Sequence, residues 1–130
     1  MEYLEYLELK EMDNKAFGKK LEIRTKQFAI SIIRLSVSLP GSPECKVIRN
    51  QLTKSGTSIG ANYREANRGR SKADFTNRIK ICESEASETI YWLEIIKDLN
   101  WTNIQKIDEI IKEADELLSI FTSIGKTLKL

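Results

Sequence analysis

Nineteen carboxylates and no histidine set the limits on any chemistry this 130-residue chain could perform. Glu83, Glu85, Glu88 and Glu94 lie close together in sequence, as ligands of a di-metal centre in a helical bundle would. Such centres draw a Glu-x-x-His pair from each of two helices, and without histidine that ligand set cannot form. No metal or other cofactor is therefore expected. The same absence removes the commonest general base and every Ser-His or Cys-His nucleophile pair. A carboxylate pair remains conceivable, Glu65 meeting Glu85 or Glu88 across two helices, but nothing in the spacing requires it. The stretch "GTSIGANYR" carries two glycines without the Gly-Lys-Ser/Thr ending of a phosphate-binding loop, and no GxGxxG occurs. The chain reads as a non-enzyme.

Cationic groups offer a different kind of chemistry. Residues 1–13 hold five acids and one base, a net −4; residues 14–80 hold fifteen bases and four acids, a net +11; residues 81–130 hold five bases and ten acids, a net −5. So lopsided a middle block suggests an acidic or phosphate-rich partner, since charge distribution bears on partners rather than on fold. The alternative is self-complementarity, with basic helices lying beside acidic ones within the molecule or across a subunit boundary. On a helical wheel Lys46, Arg49, Thr53, Gly56, Gly60, Arg64 and Arg68 share a sector roughly 120° wide. Arg70 and Lys72 extend it into the following turn, with Arg78 and Lys80 as outer contributors. Each interior glycine costs about 1 kcal/mol relative to alanine, so Gly56 and Gly60 call for a reason. Close approach of another helix is the first candidate, and access of a phosphate backbone is the second. Lysines and arginines in such a stripe suit phosphate contact without base reading. Tyr63 could stack a base but falls in the apolar sector, which favours core packing.

Helices must position these groups. Phe28, Ile32, Leu35 and Leu39 recur at three and four residues and predict a first helix over 22–39. "LPGSPE" then breaks the chain. Ser42 suits an N-cap and Pro43 the first position of a second helix that runs to about Arg68, with Ile48, Leu52, Ile59, Tyr63 and Ala66 on its apolar face. Gly69 stands where a left-handed glycine would end that helix, and Ser71 with Asp74 resembles a capping box. A third helix over Lys72–Leu99 and a fourth through Ile104, Ile107, Ile111, Ala114, Leu118 and Phe121 complete the count, the fourth capped by Thr102 with Gln105. Short connections between four helices predict an all-α, antiparallel up-and-down four-helix bundle over residues 21–130. Residues 1–20 read as an N-terminal arm, either mobile or docked on a neighbouring subunit.

Cys45 and Cys82 stand in no metal-ligand spacing and read as reduced thiols of a cytoplasmic protein. No secretory leader opens the chain, and no run approaches the roughly 20 apolar residues of a membrane span, so no membrane partner is expected.

The motifs Ser58-Ile59-Gly60-Ala61-Asn62, Glu65-Ala66, Gly69-Arg70-Ser71, Phe75, Glu88-Thr89 and Tyr91-Trp92-Leu93 also carry a likeness. With them, residues 24–128 resemble the bacterial four-helix-bundle proteins encoded in intervening sequences of 23S rRNA genes. Many members of that family have proline where this chain has Gly60. The resemblance implies an antiparallel bundle that assembles as a ring or barrel, commonly a pentamer. That family is similar in turn to the accessory protein of diversity-generating retroelements, a basic barrel that binds nucleic acid and a reverse transcriptase. The expectation is an oligomeric nucleic-acid-binding protein, RNA favoured, that contacts phosphates through Lys46, Arg49, Arg64, Arg68, Arg70, Lys72, Arg78 and Lys80. The alternative is a protein-interaction scaffold whose basic helices pack on acidic ones of a neighbour or another protein.

Overall fold

The computed structural model describes the backbone of residues 2–129, and the side chains of these except residues 3, 6–14 and 129. Its four helices are α1 (Tyr3–Ser38), α2 (Pro43–Asn67), α3 (Lys72–Asp98) and α4 (Ile104–Lys129). Among the described residues every regular element is helical. Each helix packs against its neighbours in the cyclic order α1, α2, α3, α4 and back to α1, as an up-and-down bundle requires.

The apolar faces read from the periodicity meet in one core. Phe28, Ile32, Leu35 and Leu39 of α1 and its C-cap are buried, as are Leu52, Ile59, Tyr63 and Ala66 of α2, Ile79, Cys82, Ala86, Leu93 and Ile96 of α3, and Ile107, Ala114 and Phe121 of α4. In α4 Leu117 is also buried, the predicted Ile111 and Leu118 are half-buried, and the predicted Ile104 is exposed at the helix start. Each large aliphatic or aromatic side chain so buried contributes about 1.5–3 kcal/mol. Tyr63 and Phe121 meet edge to face across the centre, with ring centroids 5.6 Å apart. Polar side chains inside the bundle are paired: Ser36 with Thr53 between α1 and α2 at 2.8 Å, and Thr89 with Ser55 between α3 and α2 at 3.0 Å. Such pairing removes the cost of a buried, unsatisfied hydroxyl.

Helix α1 differs most from the sequence expectation. It runs unbroken through the boundary placed at residue 20, because Phe17 and Leu21 continue the buried face by one more turn. From Tyr3 onward the residues assigned to an arm, mobile or docked, belong to α1, and the side chains of residues 3 and 6–14 lie outside the described ones. The α1/α4 seam is closed by Arg24, whose guanidinium forks onto Glu113 at 2.9 and 2.7 Å and reaches Glu116 at 3.4 Å. The geometry is bidentate, but the partners are partly exposed, which holds its contribution to about 1 kcal/mol or less.

The helix ends show two further corrections. Ser42 and Ser71 cap as expected, accepting from the backbone N–H of Cys45 and Asp74. Gly69, however, is not left-handed: no glycine among the described residues has a positive φ, and α2 ends through Arg68 with φ −104°. A Cβ at residue 69 would lie 3.1 Å from the Ala66 carbonyl oxygen, so glycine serves a tight return of the chain. The left-handed residue is Asn100 (φ 56°), which ends α3 in a Schellman motif: Trp101 N–H donates to Ile96 and Asn100 N–H to Lys97. Asn103, not Thr102, caps α4, its Oδ1 accepting from the N–H groups of Gln105 and Lys106.

Candidate nucleic-acid interface

Gly56 and Gly60 lie where α2 crosses α1. A Cβ at Gly56 would stand 2.8 Å from both γ-carbons of Ile32, and one at Gly60 would stand 3.0 Å from the Thr25 hydroxyl and 3.3 Å from its backbone carbonyl carbon. Thr25 turns that hydroxyl back onto the Leu21 carbonyl at 2.9 Å, which lets its backbone face the glycine. Close approach of a helix therefore accounts for both glycines, and the helix is α1 of the same chain.

Gly56 is buried in that crossing, whereas Gly60 is half-buried and lines a groove between α1 and α2 with Lys26 and Arg64. At one end of α2, Arg49 borders a shallow groove of about 560 Å³ between α1 and α2, with Lys46 one turn earlier. At the other end lie Arg64, Arg68 and Arg70, the first about 22 Å and the second about 28 Å from Arg49 at 1.5 Å per residue. Arg64 is drawn toward Glu22 of α1, at 3.6 Å. Arg68, Arg70 and Arg78 converge on a depression of about 420 Å³ beside the α2–α3 turn, together with Glu65, Asp74 and Asn77. Arg78 is held there by the Asn62 amide oxygen at 2.9 Å, and Asn62 in turn donates to the Ser58 carbonyl. Lys72 and Lys80 do not join this group. Both are exposed on α3, and at 100° per residue they point roughly 120° and 160° away from Arg78.

Of the eight predicted contact residues, only Arg64 makes an ion pair and only Arg78 a side-chain hydrogen bond among the described residues. The other six cations make no ion pair among the described residues, although Glu65 and Asp74 share the depression with Arg68 and Arg70. Seven of the eight are exposed, and Arg49 is half-buried. Arginines held without a carboxylate partner keep donors for an outside anion, all five at Arg68 and Arg70 and those of Arg78 not given to Asn62. Three of them around one concave surface can grip consecutive phosphates.

Burial first, and the charge of Glu88 second, push the Glu85 carboxyl up, with Ser58 and Lys54 opposing. Glu65 lies by the arginine depression, and no hydrogen bond joins it to Glu85 or Glu88. Tyr63, 2% exposed, is core and presents no ring for base stacking. Among the described residues no group of three or more His, Cys, Asp or Glu side chains could hold a metal ion, and no helix is long and apolar enough to cross a membrane.

Both cysteines are free and buried. Burial dominates at Cys82 and pushes its thiol up to about 12, while its S–H donates to the Ile59 carbonyl at 3.5 Å. Cys82 is therefore expected to resist thiol reagents at pH 8 in the native protein and to react once the chain is unfolded. Its folded value lies above the unfolded one, so its contribution to stability is complete below about pH 9 and is lost as pH rises toward about 12. Thiol titration with and without denaturant checks the first point. Urea midpoints between pH 8 and 11, compared with Cys82→Ala, check the second.

Residues 19–123 match the family model described as 23S rRNA-intervening sequence protein. A solved structure similar to this chain is a protein of unknown function from the S23 ribosomal protein family, from Bacteroides thetaiotaomicron VPI-5482. It shares 35% identity with a TM-score of 0.76, and the match covers 81% of this chain and 97% of that one. No curated protein matches the chain.

Proposed function

The chain belongs to the family of 23S rRNA-intervening sequence proteins, and on that footing we propose that it is a non-enzymatic, oligomeric nucleic-acid-binding protein. It favours structured RNA and contacts phosphates through Arg68, Arg70 and Arg78 at the α2–α3 turn, with Arg64 nearby. The observation that carries this reading is the convergence of three arginines on one depression, none of them in an ion pair among the described residues. Contacts of that kind position a backbone without reading bases. Assembly into a closed ring, a pentamer for preference, would repeat the triad around one surface and multiply weak contacts by avidity. No cofactor takes part, and the cytoplasm is its place of action.

Binding of a structured RNA, a single-stranded RNA and a DNA duplex across a salt series is the direct test. The expected result is tightest binding to the structured RNA, with the logarithm of affinity falling linearly against the logarithm of salt. Absence of binding to all three at low salt would end this reading. It would leave the scaffold reading, which has its own support: exposed Ile30, Ile33 and Val37 lie on α1 beside the basic edge of α2, whereas Glu83, Glu88 and exposed Tyr91 lie on the α3/α4 side of the bundle.

A further inference from the structure

The groove between α1 and α2 at the Arg49 end combines two features that a phosphate backbone would not use together. Ile33 and Val37 line it and are 45% and 78% exposed, with Ile30 one turn before them at 39%. Arg49 and Lys54 line it as well, with Lys46 alongside, and none of the three makes an ion pair among the described residues. No lining side chain is acidic. A partner matched to this surface is apolar along one face and negatively charged beside it.

One such segment occurs in the chain itself. Residues 1–13, "MEYLEYLELKEMD", alternate Tyr3, Leu4, Tyr6, Leu7 and Leu9 with Glu2, Glu5, Glu8 and Glu11 and carry a net −4. Leu4, in the described part of the segment, is 71% exposed. The segment does not reach the groove of its own molecule. Helix α1 begins at Tyr3, and Gly18 lies beside Asn67 at the far end of α2. Ile33 is about 22 Å from Gly18 along α1, and residues before Gly18 lead away from it. We infer that the acidic N-terminal segment of one copy docks in the basic, apolar α1/α2 groove of a second copy.

The docked segment covers Ile30, Ile33 and Val37 and neutralises Lys46, Arg49 and Lys54, which withdraws that end of the stripe from nucleic acid. Opposite charges flanking an apolar centre fix register and partner choice as well as affinity. The inference does not depend on nucleic-acid binding. It requires only that two copies meet.

The test uses the full chain, mixed from ¹⁴N- and ¹⁵N-labelled preparations and treated with a zero-length carboxyl–amine cross-linker. Mass spectrometry should find Glu5, Glu8 or Glu11 joined to Lys46 or Lys54 in mixed-isotope peptides, the mark of links between copies. In an Arg49→Glu, Val37→Asp variant that keeps both lysines, and whose helix content is checked by circular dichroism, the yield of those links should fall at least about fivefold through like-charge repulsion and loss of the apolar contact. Three results would overturn the inference. These are links confined to single-isotope peptides, a yield unchanged in the variant, and Lys46 and Lys54 joined instead to Glu83, Glu88 or Glu94. Nucleic-acid binding could fail or succeed alongside any of them.

Discussion

Replacing Gly56 with alanine is expected to destabilise the bundle by about 1–2 kcal/mol, although alanine gains about 1 kcal/mol in helix propensity. The added methyl would meet both γ-carbons of Ile32 at 2.8 Å and its Cβ at 3.2 Å. A long side chain could swing its far end aside. Ile32 cannot, because both clashing atoms branch from its Cβ and its side chain is wholly buried, so rotation moves one into the place of the other. Helices α1 and α2 must therefore separate, and the hydrogen bond between Ser36 and Thr53, one turn further along the same seam, lengthens with them. Urea denaturation measures the cost. The mechanism has a sharper signature in a double mutant. Ile32→Ala alone removes a buried side chain and should cost about 2–5 kcal/mol. In that background Gly56→Ala should cost nothing or even stabilise, because the γ-carbons it struck are gone. Equal cost in both backgrounds would mean that the glycine is not there to let α1 approach.

That pair also shows what the sequence could and could not convey. The need for close approach at Gly56 and Gly60 was legible, since two interior glycines one turn apart lower helix stability without an evident gain. The identity of the approaching group was not. Ile32 and Thr25 lie 24 and 35 residues away, and helical periodicity says nothing about which helix comes nearest. Within each helix the reading was reliable away from the ends, because Phe28, Ile32, Leu35, Ile59, Tyr63, Ala86 and Phe121 depend only on the 3.6-residue repeat, whereas Ile104 at the first position of α4 is exposed. The start of α1 was hidden by Gly18 and the polar run before it, which break the pattern although Phe17 and Leu21 still bury their side chains. The ends of helices failed for a different reason. Thr102 and Asn103 are both acceptable caps, and which one accepts depends on where the chain leaves the Schellman motif at Asn100. Composition marks the turn without fixing its phase.

The spatial grouping of the predicted contact residues was hidden by projection. A helical wheel discards height, so Lys46 and Arg49 appeared in line with Arg64 and Arg68 while lying some 30 Å from the arginine depression. It also could not show that Arg78 of α3 turns toward α2 and Lys80 away from it. That division supplies the contrast for the largest expected effect. Simultaneous Arg68→Glu, Arg70→Glu and Arg78→Glu substitution should weaken binding to structured RNA at least about 100-fold near 0.1 M salt, since each charge-assisted contact is worth about 1.5–3 kcal/mol and the sum falls short of additivity. The bundle should remain folded, because all three side chains are exposed and the one hydrogen bond lost is that of Arg78 to Asn62. Lys72→Glu with Lys80→Glu, changed to the same sign but pointing elsewhere, should weaken binding far less. Salt dependence separates local contact from general attraction. A triad that grips phosphates lowers the slope by about 0.7–0.9 for each contact removed, whereas a diffuse field would be reduced by both sets of substitutions according to their charge alone. Equal losses per unit charge in the two variants would reassign binding to the whole basic surface and leave the turn no special part in it.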